Sequence, residues 1–465
     1  MPIDIPIIGA RTAIWIVAQL HLFFAAFVLG APIFVVVSEY LGVRTKDSRY
    51  ERLAKETMKV VAIAYGFTAI FGAMFAFLLM GPYQSFSNEL FKDFFPVFGI
   101  YGLFILLESI LMYTYWYTWD SLAQRKRFHI SLGVTLNIIG TLSMVLMNAV
   151  GSFMLTPPES VETASLWSMI NNASWTGLNL HRFIANLTFG GFIVALFAAF
   201  MFLTSRKKED RAFYDWMGFI GNFIGVATLL ALPIAGYIYA KELFLYDASI
   251  STLMMADKLS WFFEYQGILV VLLFLGANYY MWLSLQRITG GARFLGYMKA
   301  TFVVIFVAGL IWVIPQNFLA DLTAPAPAGV PMEELAIPGG AAFLGLMMAK
   351  GLAVTAIIIM TFISYLLYRR AISTGTVVWG RIDIKSQFVL IFLPTAVVFL
   401  MGLMGALREL ARQDYHIYQV LQDVTPYWYM PDIGHTSLMS GLVALIYFVL
   451  MTFIFWLGFM VGREK

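Results

Sequence analysis

No cysteine occurs in these 465 residues, and that absence removes disulfides, thiolate-held zinc, iron–sulfur clusters and covalent c-type haem attachment. Charge is scarce as well: Asp, Glu, Lys and Arg make up 12% of the chain, against about 25% in ordinary soluble domains. With 60% hydrophobic residues, the chain reads as a polytopic membrane protein and not as one large soluble core. The net charge of +3 is small and no basic patch interleaves with aromatics, so no nucleic-acid partner is expected. Met1–Ala10 lacks a basic n-region and the apolar run from Ala13 is too long for a signal peptide, so no cleavable leader is expected. Histidine is sparse, with five in the whole chain.

What is present in quantity is long apolar sequence. A spanning helix needs roughly 20 predominantly apolar residues. Eleven such stretches start near Ala13, Val60, Phe95, Ile130, Trp175, Asp215, Trp261, Met298, Ala341, Phe388 and Leu438. The expected fold is an all-α, polytopic transmembrane helix bundle. Alternate connections hold 22 of the 30 basic residues: Arg44 to Lys59, Arg125 to Arg127, Arg206 to Arg211, Arg287 to Lys299, Arg369 to Lys385, and Arg463 with Lys465. The other connections, including 156–174 and 320–340, hold few, which predicts the N-terminus outside and the C-terminus in the cytoplasm. There is no internal repeat, and Thr323–Pro331 reads as an exterior loop.

Two histidines, His21 and His181, fall inside spans. An imidazole at membrane depth marks a functional site by default, and imidazole is the commonest protein ligand of haem iron. Bulky neighbours in Gln19-Leu20-His21-Leu22-Phe23-Phe24 and Asn179-Leu180-His181-Arg182-Phe183 could wall a flat cofactor. At about 1.5 Å per residue, His21 lies in the outer half of the first span and His181 near the outer end of the fifth. Met347 and Met348 in the ninth span, and Glu409 and Arg412 in the tenth, reach the same leaflet. Taken singly, each has a plainer reading: a histidine as interhelical glue, a methionine as core filler, Glu409 and Arg412 as a surface pair at i and i+3.

Glu108 lies deeper, with Phe104, Ile105, Leu111 and Met112 as its helical neighbours. A carboxyl there must be protonated, paired with another helix or hydrated, and a proton relay is the leading reading. Asn137, Thr141, Asn148 and Ser152, with Met144 between, form one polar seam along the fourth span. Packing glue and a water-lined proton path fit that seam equally well. Lys350 either offsets negative charge on a cofactor or snorkels to the outer interface. His129, beside Arg125-Lys126-Arg127, is expected to be solvated. His416 and His435, with Asp414, Asp423 and Asp432, match no metal motif, and Tyr427, Trp428 and Tyr429 read as an interfacial aromatic belt.

Several segments recur in one order: Gln19 to Phe24, Leu106-Leu107-Glu108-Ser109 with Trp119-Asp120, Met147-Asn148-Ala149 leading to Pro157, Leu180-His181-Arg182-Phe183, and Glu409-Leu410-Ala411-Arg412-Gln413. On these the chain resembles subunit I of the cytochrome bd-type quinol oxidases, over its first six spans and its last three. The resemblance implies a single haem-binding membrane domain over residues 1–465, family-like in 1–240 and 341–465, with two added helices in 258–320. It implies a low-spin haem b held by His181 and Met348, Met347 lying one register away. It implies His21 and Glu409 as axial ligands at a high-spin pair, haem b and/or haem d. Arg412 and Gln413 would contact propionates, where Arg182 and Lys350 add cations, and Glu108, Asn137 and Thr141 would serve the proton route.

The implied function is a respiratory terminal oxidase of the prokaryotic plasma (inner) membrane. It would reduce dioxygen to water with electrons from the outer face and protons from the cytoplasm, beside a second membrane subunit. The chain departs from the family at Ile100, where a second glutamate is usual, and at Asp414-Tyr415-His416, where the signature runs Pro-Trp. The usual polar loop after the sixth span, the quinol site, is replaced by two spans, which opens the donor to either quinol or an exterior cytochrome c. A non-oxidase haem electron conduit and a proton-relay transporter are the remaining alternatives, the latter without the broken helix pairs its class needs.

Overall fold

The computed structural model describes residues 9–255, 257–314, 339–422 and 433–461. Among the described residues eleven helices are long and apolar enough to cross a membrane, one for each expected stretch. With no water in a bilayer core, only elements that satisfy their own backbone can span it, which is why the apolar runs emerge as helices. The helices are α1 (Ala10–Thr45), α2 (Ser48–Met80), α3 (Gln84–Tyr117), α4 (Lys126–Phe153), the short α5 (Leu166–Ile170) and α6 (Trp175–Thr204). They continue as α7 (Lys208–Leu229), α8 (Leu232–Tyr246), the short α9 (Ala248–Met255), α10 (Ser260–Ser284), α11 (Leu295–Val313), α12 (Gly339–Thr374), α13 (Lys385–Ala411) and α14 (Ile433–Val461). A two-stranded hairpin, β1 (Tyr415–Ile417) with β2 (Leu421–Gln422), is an addition to the expected all-α architecture.

Several helices overrun their apolar cores because the flanking polar turns are also good helix formers. Thus α2 starts at Ser48, well before Val60, with Asp47 capping it by accepting a 3.0 Å hydrogen bond from the Arg49 N–H. The third span kinks where Phe94 leaves helical geometry just before Pro96. The sixth span is α7 and α8 in series, interrupted at Leu230–Ala231 with Pro233 in the first turn of α8.

Contacts divide the chain into two units, Met1–Val194 with Phe223–Leu229 and Arg412–Lys465, and Ala195–Asn222 with Leu230–Ala411. In the first, α1 is the centre, packed on α2, α4 and α14, while α3 pairs with α4. Helices α1 and α6 meet backbone to backbone: a Cβ on Gly190 would lie 2.9 Å from the Ala31 nitrogen, and one on Gly30 would collide with the Asn186 carbonyl. Small residues allow that approach, and close van der Waals packing is what holds helices together in lipid. Tyr447 of α14 packs against Phe23, Phe24 and Phe189.

In the second unit α10 packs on α11, α12 and α13, and α11 lies along α12. Asn278 donates to Thr361 at 3.0 Å, and the Thr301 and Ser364 hydroxyls lie 2.7 Å apart. Arg287, expected among the loop cations, is buried here. It pairs with Asp215 at 3.1 Å and lies over the rings of Trp379, Phe219 and Tyr280. Residues 285–287 continue from α10 as a single 3-10 turn, and the isolated pairing of Ile288 with Val377 brings the segment after α12 beside it.

Candidate functional site

In the first unit His21 projects from α1 towards α2. Its Nδ1–H donates to the Thr68 carbonyl at 3.0 Å. The ring lies against Gly72, where a Cβ would come within 2.9 Å of Cε1. Donation from Nδ1 fixes the neutral tautomer with the lone pair on Nε2, the arrangement that orients a metal-ligating histidine. His181, from α6, shares with His21 the electrostatic influence of Arg182. The Arg182 Nη1 donates to Asn148 Oδ1 at 2.8 Å, and Asn148 Nδ2 donates to Asn179 at 2.7 Å. Two imidazoles and one held guanidinium thus belong to one region built by α1, α2, α4 and α6.

Glu108 is buried near Ser143, whose hydroxyl donates to the Ile139 carbonyl at 3.0 Å. It opens on a cavity of about 10 Å³ lined by Val28, Leu29, Pro32, Leu136, Asn137 and Gly140, space for roughly one water. Asn137, whose Nδ2 also donates to the Gly133 carbonyl at 2.9 Å, lines the same cavity as Glu108. Thr141 does not line this cavity; Ser143 holds the place by the carboxyl. The Asn148 end of the seam is taken up by side chains, Asn148 as above and Ser152 by a 2.8 Å bond from Asn172. At that end the hydrogen bonds run to neighbouring segments, and the Asn137 end faces the acid.

A family model for subunit I of the cytochrome bd terminal oxidases matches residues 10–249, more than half of the chain and the segment that carries His21, Glu108 and His181. The chain belongs to that family. A protein of Bacillus subtilis (strain 168), named as a candidate cytochrome bd menaquinol oxidase subunit I, is 28% identical over 238 residues. That match covers 49% of this chain and spans half the length of the relative. The solved bd oxidase structure from Geobacillus thermodenitrificans is similar over 98% of both chains, at a TM-score of 0.55 and 13% identity, which is a likeness of fold.

The remaining family positions lie further along the chain. Arg412 is buried, and its Nη1 donates to the His416 carbonyl at 2.7 Å. Gln413 follows in the left-handed region at φ 56, which turns the chain out of the helix and into the hairpin. In the second unit Met348 is exposed, Met347 and Glu409 are half-buried, and Lys350 is buried. The Lys350 Nζ lies 5.5 Å from the Phe263 ring centroid and interacts with Glu264, so it has a charge partner on α10. Of the two histidines near the hairpin and α14, the His416 ring stacks on Phe86 at 4.8 Å. His435, Asp423, Asp432, Tyr427, Trp428 and Tyr429 lie outside the residues whose side chains are described. Among the described residues no cluster of His, Asp and Glu has a metal-binding arrangement.

The expectation for His129 is overturned. It is fully buried, with Nδ1 2.7 Å from Glu39 Oε1 and Nε2–H donating to the Tyr115 carbonyl at 2.9 Å. Arg125 and Arg127 remain exposed, while the helical face carrying His129 turns inward, where Lys126 also reaches Glu39. Glu39 was invisible in the sequence; the signal available was a carboxylate near the end of an apolar run, at a depth where burial requires a partner.

Proposed function

We propose that this chain is the haem-bearing subunit of a respiratory terminal oxidase that reduces dioxygen to water. The observation that carries the reading is the His21 ring, locked by the Thr68 carbonyl and Gly72 with its Nε2 lone pair available to iron. His21 and His181 are the proposed ligands of the first unit, with Arg182 beside them to balance propionate charge. Met348 and Glu409 are the ligands that the family resemblance assigns to the second unit, and Arg412 with Gln413 the propionate contacts. Haem, when bound, supplies the oxygen and one-electron chemistry, and the protein supplies ligation, low dielectric and proton access.

Glu108 holds the proton at the mid-membrane end of the route, with Asn137 and Ser143 orienting its carboxyl. The basic connections support an N-terminus outside and a C-terminus in the cytoplasm of a prokaryotic plasma membrane. With that orientation, protons would enter from the cytoplasm and electrons from the outer face. A quinol is the proposed donor, as the name of the Bacillus relative suggests, and a second membrane subunit completes the enzyme.

A reduced-minus-oxidised spectrum of the purified complex, followed by oxygen, tests this. High-spin haem bands that reoxidise at once, with quinol and not reduced cytochrome c as donor, are expected. A low-spin signature inert to oxygen would make the protein an electron conduit, and absence of haem would defeat the reading. His21→Ala should remove a high-spin component and His181→Ala the low-spin one.

A further inference from the structure

We propose that Glu39, His129 and Tyr115 form a buried proton-holding centre that accepts protons through Lys126 and hands them towards Glu108. The inference rests on the proton role proposed above for Glu108. Glu39 and His129 both have 0% exposure. The Tyr115 carbonyl can only accept, so His129 Nε2 carries a hydrogen. One further proton then lies between Nδ1 and Glu39 Oε1, 2.7 Å apart, as imidazolium with carboxylate or as imidazole with carboxylic acid. Either form avoids an unpaired buried charge. The Tyr115 hydroxyl donates to Glu39 Oε2 at 2.7 Å, which leaves Oε1 as the exchanging atom.

The pair is connected on both sides. Lys126 Nζ lies 3.5 Å from Glu39 Oε1 and also pairs with Glu51. Glu51, with Arg52, Lys55, Glu56, Trp119 and Asp120, lines a cleft of about 280 Å³. One ammonium therefore bridges the buried carboxylate and a charged opening. The titratable groups facing the pair are Tyr115 from α3, Lys126 from α4 and, through Lys126, Glu51 from α2.

On the other side, Tyr115 stands two helical turns after Glu108 on α3, about 10 Å along the same face. On α4, His129, Gly133, Asn137 and Gly140 make one stripe towards α1 and α3. A Cβ on Gly133 would lie 2.8 Å from the Tyr115 Cζ, so this glycine lets the phenol lie flat against α4 with its hydroxyl on Glu39. Asn137 bonds the Gly133 carbonyl and lines the Glu108 cavity.

In the transfer, the Nδ1–H bond of His129 breaks as the Oε1–H bond of Glu39 forms. The carboxyl then releases that proton towards Glu108, whose carboxylate takes it up. An N–H bond of the Lys126 ammonium breaks to return a proton to Oε1 and so to Nδ1, and the amine is reprotonated from the cleft. A purely structural pair would need neither the ammonium bridge to the cleft nor the continuation to Asn137.

Glu39→Gln keeps shape and hydrogen bonding but cannot exchange a proton. Proton uptake should be followed with a pH dye as the fully reduced, haem-loaded complex meets oxygen. Glu39→Gln should slow uptake by roughly a hundredfold with the haem spectrum unchanged, and Glu39→Asp should restore most of it. Uptake at the parental rate in Glu39→Gln, or loss of the haem spectrum in both variants, overturns the proposal. Spectra of ¹⁵N-histidine-labelled protein read the pair without turnover: a His129 Nδ1 proton shared with a carboxylate, and lost in Glu39→Gln, is expected. An unshared Nδ1 in the parent overturns the proposal, whereas a parent that binds haem yet fails to reduce oxygen defeats the oxidase reading alone.

Discussion

Gly140 lies directly against Glu108: a Cβ at that glycine would stand 3.2 Å from the carboxyl Oε1 and 3.0 Å from the Leu29 Cδ2. The helix therefore leaves a notch at the depth where α3 presents its acid. Gly140→Ala should push the carboxyl away from Asn137 and Ser143 while leaving the histidines of α1 and α6 untouched. Because small misplacements of a reacting group are costly, oxygen consumption per haem should fall by roughly tenfold or more. The check is oxygraphy on preparations with parental haem spectra; an unchanged rate would free proton delivery from the position of Glu108.

Gly30 plays the corresponding part between α1 and α6, where the Asn186 carbonyl occupies the place of a side chain. The same two helices carry His21 and His181. Gly30→Ala must force them apart, and overpacking of that kind costs about 3 kcal/mol, at the upper end of its range. Lower haem content per protein and a depressed Tm in detergent are expected together. Retention of both at parental values would mean that the helices can separate without disturbing the cofactor region.

The spans were legible because bilayer thickness writes itself into sequence as runs of apolar residues. His21 and His181 were legible for the complementary reason, that a polar ring in such a run demands an explanation. Their surroundings were not. The partner of His21 is the backbone carbonyl of Thr68, 47 residues away, and any residue type supplies a carbonyl. Glu39 reaches His129 across 90 residues and two helix faces, a pairing decided by tertiary packing alone. Arg287 misled because its neighbours are loop-like, whereas its guanidinium is caged by residues from α7, α10 and the segment after α12. The polar seam of α4 read as one feature because sequence shows spacing; the structure divides it according to which helix lies opposite.

Arg287 and Asp215 form an ion pair with both side chains fully buried. The Gly380 N–H donates to Asp215 Oδ2 at 2.8 Å, from a glycine at φ +85. Removing one partner strands the other charge, a loss of about 3–5 kcal/mol. Asp215→Leu alone and Arg287→Met alone should each collapse expression or lower Tm strongly. The double variant should recover much of the loss, since a matched apolar pair needs no desolvation of charge. A double variant as unstable as the worse single would show that the Gly380 contact and the aromatic cage matter more than charge balance.

Asp47, in the turn between α1 and α2, supplies a pH-dependent contribution. Its side-chain hydrogen bonds with Arg49, at 3.0 Å and 2.6 Å, hold its carboxyl below the ordinary carboxylate range. A depressed folded pKa means that the unfolded chain binds the proton more readily, so the contribution is complete above the unfolded value near 4. It is lost as pH falls through the lower folded value. Asp47→Ala should therefore cost about 1 kcal/mol at neutral pH, as for loss of a helix cap, and the gap should narrow on acidification below about pH 4. Thermal melts of parent and variant in detergent across that range check the sign. A constant gap would assign the effect to backbone geometry, and a widening one would contradict the ion pair as its cause.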